Sequence, residues 1–121
     1  MIKGIGMDIT QISRIEKLMT NPHFIERVLT DHEKILLDQK PKKSQWVAAR
    51  FATKEAVAKA FGVGISKCPL NEVETIYDEL GAPKIRLYDQ AKQLMENIDG
   101  QHIHISITHE DDYAAAVAII E

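Results

Sequence analysis

The hydrophobic positions follow two periodicities. Strict alternation marks His102–Thr108, where Ile103, Ile105 and Ile107 interleave with His104, Ser106 and Thr108, the period-two pattern of a half-buried strand. Tyr113–Ile120, rich in Ala, Val and Ile, follows a His109–Asp112 turn, and the two segments predict an antiparallel hairpin. Residues 2–9 alternate as well. Ile5, Met7 and Ile9 oppose Gly4, Gly6 and Asp8, so Asp8 points to the face opposite the apolar set. Val73–Tyr77 and Pro83–Tyr88 predict two further strands around an Asp78–Ala82 turn.

Helical spacing governs the rest. Ile12, Ile15, Leu18 and Met19 share one face of a helix starting near Gln11, with Thr10 as its cap and Asn21-Pro22 as its break. Phe24–Leu29, Asp31–Asp38 and Gln90–Glu96 predict shorter helices, and the lysine-rich Gln39–Lys43 an exposed loop. The longest helix is predicted over Ser44–Phe61. Trp46, Val47, Arg50, Phe51, Lys54, Val57, Ala58 and Phe61 recur there at helical spacing, and alanines at 48, 49, 52, 56, 58 and 60 leave narrow faces. Gly62 is its C-terminal stop. Helices mixed with hairpins predict an α+β fold, with the long helix and the shorter ones packed on one face of an antiparallel sheet.

The chain has 121 residues, the size of one domain spanning 1–121, which buries roughly two thirds of its unfolded surface. Hydrophobic residues at 45% and charged residues at 27% exclude disorder for the bulk of it. A single cysteine, Cys68, allows no internal disulfide and no cysteine metal framework, and favours a reducing cytoplasm. Charged residues interrupt every apolar run well before the ~18 residues of a membrane span, and no signal peptide is expected at the N-terminus. Aromatic residues at 6% argue against a nucleic-acid platform. The net charge of −3 conceals an asymmetry: residues 1–60 carry eleven Lys and Arg against seven Asp and Glu, and residues 61–121 four against eleven. The basic half suits an anionic ligand or an acidic protein, unless the halves intermix in space.

Candidate chemistry gathers at few residues. Asp8 follows a Gly-x-Gly turn, but no third glycine completes a dinucleotide fingerprint. Glu55 and Lys59 are i and i+4 neighbours, in the favourable order for a surface ion pair. The same spacing also lets a carboxylate hold a divalent cation while the lysine touches phosphate. Asp8 with Glu55 would supply the one or two carboxylates that Mg²⁺ takes. Ser106, Thr108 and His109 lie on no nucleophile elbow, which removes acyl-enzyme chemistry. His102 and His104 share a strand face as solvated residues.

Three motifs then fall in register. Gly4-Ile5-Gly6-Met7-Asp8-Ile9 with Arg14-Ile15 is the first. Arg50-Phe51-Ala52-Thr53-Lys54-Glu55-Ala56 with Lys59-Ala60-Phe61-Gly62 is the second. Ile105-Ser106-Ile107-Thr108-His109 with Tyr113-Ala114 and Glu121 is the third, and Gly81-Ala82-Pro83 adds a Gly-x-Pro turn. Together they resemble the small bacterial phosphopantetheinyl transferases, the holo-acyl-carrier-protein synthases, over essentially the whole chain. Gly62-Val63-Gly64 departs from that family's common Gly-Thr-Gly, and Ala48-Ala49 stands where a glycine is frequent.

The resemblance implies an enzyme that moves the phosphopantetheine arm of coenzyme A onto a serine hydroxyl of acyl carrier protein, in support of fatty acid biosynthesis. Adenosine 3′,5′-bisphosphate is released. It implies Mg²⁺ on Asp8 and Glu55, with Lys59 near the pyrophosphate and His109 at the co-substrate site. Lys54, Gly62, Gly64 and Thr108 are further candidate contacts, as are Lys42, Lys43 and Arg50 toward the 3′-phosphate. Arg14, Lys17 and Arg27 would dock the acidic carrier. A homotrimer with sites between subunits is also implied. The base is left open between Glu55 and a metal-bound water. Two other readings use the same residues: a Mg²⁺-dependent phosphohydrolase, and a non-catalytic nucleotide-binding regulatory module.

Overall fold

The alanine-rich helix at the middle of the chain organises the fold. In the computed structural model, which describes residues 1–121, it runs Lys43–Ala60 (α4). Before it come β1 (Gly4–Gln11), α1 (Ile12–Leu18), α2 (Pro22–Val28) and α3 (Asp31–Leu37). After it come a 3₁₀ turn at Leu70–Glu72, β2 (Val73–Tyr77), β3 (Pro83–Leu87), α5 (Asp89–Asn97), β4 (Ile103–His109) and β5 (Tyr113–Ile120). No helix is long and apolar enough to cross a membrane.

The strands form two antiparallel sheets, β1-β5-β4 and the hairpin β2-β3. The register pairs Gly6 with Ala118 and Asp8 with Ala116, and β4 pairs Ile105 and Ile107 with the same two alanines. One face therefore carries Gly4, Gly6, Asp8, Ala114, Ala116 and Ala118 of β5 and the isoleucines of β4, and α4 lies on it. The approach is close. A Cβ at Gly4 would sit 1.8 Å from the Ala60 carbonyl oxygen, and one at Gly6 would sit 1.9 Å from that of Ala56. Only glycines on the strand and alanines on the helix allow this contact.

The glycine face is thus the buried face of β1. Ile5, Met7 and Ile9, which alternate like a core stripe, are 66%, 69% and 67% exposed. They share the outer face of the sheet with Ala115, Val117 and Ile119. The core lies on both sides of α4 instead: one cluster joins it to α1–α3 and the other joins it to the sheet and α5.

One local expectation needs correction. Thr10 does not cap α1. It ends inside β1, its hydroxyl donates to Asp8 Oδ2 at 2.7 Å, and Gln11 stands at the cap position without a capping bond. The strand alternation therefore runs further than the apolar stripe suggested. The stop at Gly62 holds: its φ is +80° and its N–H donates to the Lys59 carbonyl.

Candidate active site

Three groups of side chains surround α4, and its helical phase separates them. Residues four apart share a side, whereas five residues turn about 140° around the axis. Arg50 and Lys54 therefore face one way. Glu55 and Lys59 face nearly the opposite way, toward β1.

On the β1 side, the close strand–helix approach brings Asp8 against the helix. Lys59 Nζ lies 3.4 Å from Asp8 Oδ1 and donates at 3.0 Å to the Met7 carbonyl oxygen. The Asp8 side chain is largely buried and Lys59 half-exposed. Lys59 thus pairs across elements rather than with Glu55 on its own helix. Glu55 is half-buried, and its carboxyl is pushed above the usual range by burial first and by the Asp8 charge second. Lys59 and Arg14 oppose the shift. Two carboxylates here face one space, with a lysine and an arginine at its edge.

On the β4 side, a cleft of about 450 Å³ includes Lys40, Lys42, Trp46, Arg50, Tyr77 and His109 in its wall. The Arg50 guanidinium lies 3.8 Å from the Trp46 ring centre, a cation–π stack. Its residue is buried, its Nε has no hydrogen-bond partner, and burial draws its basicity down against the pull of Tyr77 and Glu33. The surface is cationic, with aromatic rings beside the charges.

The third group lies on α1 and α2. An open, largely apolar cleft of about 700 Å³ is formed by Leu18, Phe24, Val28, Phe51 and Ile65 among others, with Arg14 and Arg27 beside them. Arg14 sits 5.9 Å from the Phe51 ring centre, and its charge also reaches Glu55. It connects this cleft to the carboxylates. Lys17 is exposed one turn beyond Arg14, outside the cleft.

The structure thus brings together Asp8, Glu55 and Lys59, separately Arg50, Lys42 and His109, and separately Arg14 and Arg27. Gly62 and Gly64 form the turn just beyond Lys59. Thr108 and His109 sit on opposite faces of β4, Thr108 beside Ile9 and Tyr113 on the outer side.

One candidate contact is corrected. Lys54 is fully buried, and its ammonium donates to Glu33 Oε1 at 2.7 Å, to the Leu70 carbonyl at 3.0 Å and to the Val73 carbonyl. No ligand reaches it. Lys43 Nζ donates to the carbonyls of Leu37, Asp38 and Lys40. It closes the end of α3 and, exposed, lines a neighbouring cleft together with Lys42. Sequence reasoning missed Trp46 and Tyr77. The i, i+4 spacing of Trp46 and Arg50 was the available signal for the first. Tyr77 had none beyond its place before the turn.

The sequence profile of the 4′-phosphopantetheinyl transferase superfamily matches residues 4–118, and the chain belongs to that superfamily. It is 42% identical to the holo-[acyl-carrier-protein] synthase of Klebsiella pneumoniae (strain 342), over 99% of this chain and 98% of that one. Among solved structures it is similar to the holo-[acyl-carrier-protein] synthase of Neisseria meningitidis, with a TM-score of 0.92, 32% identity and coverage of 100% and 99% of the two chains. It is also similar to the Helicobacter pylori synthase solved in complex with coenzyme A, with a TM-score of 0.82, 34% identity and coverage of 97% and 99%.

Proposed function

We propose that residues 1–121 act as one transferase domain that moves phosphopantetheine from coenzyme A to a serine hydroxyl of apo acyl carrier protein. The by-product is adenosine 3′,5′-bisphosphate, and the reaction supports fatty acid biosynthesis. The observation that carries this reading is the pair Asp8–Glu55 beside Lys59, in a chain similar over its whole length to synthases of that name.

The donor set fits Mg²⁺. Asp8 and Glu55 are oxygen ligands, with burial and the Asp8 charge raising the cost of ionising Glu55, and no third His, Cys, Asp or Glu converges on them. Mg²⁺ characteristically takes one or two carboxylates and fills its shell with water and phosphate oxygens. When bound it supplies Lewis-acid polarisation of the pyrophosphate. Lys59 neutralises charge growing on the leaving phosphate, which is the larger part of what a phosphoryl-transfer site must do. The serine proton goes to a base at this carboxylate pair, either Glu55 itself or a water held there.

The Arg50 cleft, with Lys42 and His109, suits the 3′-phosphate end of coenzyme A. It lies about 140° around α4 from Glu55, so one copy presents the two halves of the site on different flanks. The outer face of the sheet, with Ile5, Met7 and Ile9 exposed, supports a homotrimer in which neighbouring copies join one flank to the other. The Arg14–Arg27 cleft, apolar with basic residues beside it, suits an acidic carrier protein, and Lys17 extends the charge. Burial pushes the Cys68 thiol up to about 11, which keeps it unreactive, and we assign the enzyme to the cytoplasm.

The test is the intact mass of purified apo acyl carrier protein after incubation with this protein, coenzyme A and Mg²⁺. One phosphopantetheine should be gained, and EDTA should prevent it. No gain across several carriers would overturn the proposal. Phosphate release from coenzyme A without a carrier would favour the hydrolase.

A further inference from the structure

Beneath the Arg50 cleft lies a buried ionic cluster that the proposed chemistry does not use. Glu33 on α3 and Lys54 on α4 are both fully buried. Glu33 is held by a capping box, in which its side chain accepts from the Thr30 N–H and its own N–H donates to the Thr30 hydroxyl. Its Oε1 takes the Lys54 ammonium at 2.7 Å and the Thr30 N–H at 3.0 Å. Its Oε2 accepts the Thr75 N–H at 3.3 Å and stands 3.7 Å from Arg50 Nε. That last distance is an ion pair without a hydrogen bond. Glu74, the other buried carboxylate, accepts from the Thr30 and Tyr88 hydroxyls and has His32 and Arg86 beside it.

Arg50 is therefore the least satisfied charge in the cluster. Its side chain is 7% exposed, its Nε is unpartnered, and its guanidinium is stacked on Trp46 and open to the cleft. A buried guanidinium would ordinarily close on the nearest carboxylate, because a buried ion pair offsets its desolvation only when it is well hydrogen-bonded. Glu33 is that carboxylate, less than 1 Å beyond hydrogen-bonding distance. The Thr30 and Thr75 N–H groups hold Glu33, and Lys54, itself anchored by the Leu70 and Val73 carbonyls, is the one cation hydrogen-bonded to it.

We propose that Lys54 is a positioning residue: by holding Glu33 it keeps the Arg50 guanidinium free for an anionic group in the cleft, and so sets the preference for a co-substrate bearing a terminal phosphate. This rests on the reading of the cleft as the site of the coenzyme A 3′-phosphate. Lys54 touches no ligand. Its removal leaves Glu33 with Arg50 as its only nearby cation, and the pair closes.

The test is steady-state transfer to apo carrier protein with coenzyme A and, separately, dephospho-coenzyme A, which lacks the 3′-phosphate. Wild-type protein should prefer coenzyme A through KM. In Lys54→Met the KM for coenzyme A should rise about tenfold, the order of one charged hydrogen bond. The KM for dephospho-coenzyme A and kcat should stay near wild type. In Lys54→Met/Glu33→Gln, which removes the competing carboxylate, the preference should return. Lys54→Gln, which keeps a donor for the two carbonyls, takes the same test if Lys54→Met does not fold. A preference unchanged in the single variant overturns the inference, as does a KM raised equally for both co-substrates or a double variant no better than the single. A wild-type enzyme that transfers but shows no preference overturns the reading of the cleft itself.

Discussion

Lys59 Nζ stands 3.4 Å from Asp8 Oδ1, bridging α4 and β1, and is fixed there by the Met7 carbonyl at 3.0 Å. The ammonium is anchored by strand backbone, so its position does not depend on Glu55. Its role is then to stabilise charge that appears late in the reaction. Lys59→Met should lower kcat about a hundredfold, the usual cost of removing one charge-stabilising donor. Its KM for coenzyme A should change far less. Stopped-time transfer assays over a range of coenzyme A concentrations separate the two.

The placement of Asp8 depends on Gly6. An added Cβ would meet Ala56 O at 1.9 Å and Ala60 N at 2.7 Å, both backbone atoms of a rigid helix. Gly6→Ala should destabilise the fold by about 3 kcal/mol, the upper end of ordinary overpacking, because neither atom can give way. Urea unfolding with a fixed m-value measures this.

How much of this was legible in the sequence follows from which contacts are local. The β4–β5 hairpin and α4 were plain, because each periodicity runs over many residues. The buried side of β1 was not. Ile5, Met7 and Ile9 alternate as a core stripe would, and nothing local says that a helix will lie on the glycines instead. Asp8, Glu55 and Lys59 were legible as a group. Lys54 was not, since its partner Glu33 lies on another helix 21 residues away. A lone helical lysine ordinarily snorkels to water. The separation of Arg50 from Glu55 was written in helical phase.

The outer sheet face gives an assembly prediction. Met7→Lys places a charge at the centre of the stripe of Ile5, Met7 and Ile9 without touching the core, since the Met7 residue is 69% exposed. The variant should keep its circular dichroism spectrum and sediment as a smaller species than the wild type. An unchanged sedimentation coefficient in a well-folded variant would remove this face from the interface.

Carrier docking is tested at Arg14, which lies beside the apolar cleft and faces the Glu55 carboxylate. Arg14→Glu should lower kcat/KM for the carrier protein about tenfold or more. It should also flatten the dependence of that rate on salt, because attraction to an acidic partner is what ionic strength screens. Retention of both would exclude this cleft as the docking surface.

The central claim is that one transfer site joins the carboxylate flank of one copy to the Arg50–His109 flank of its neighbour. Co-expression of Glu55→Gln with His109→Ala, each weakly active alone, tests it most directly. Random assembly leaves about a quarter of the shared sites with both flanks intact, as for any heterologous interface. The mixed oligomer should therefore recover about a quarter of wild-type transfer, read as intact mass of the carrier protein with time. A mixture no more active than the average of its two parents would show that each chain carries its whole site alone, and would contradict the account.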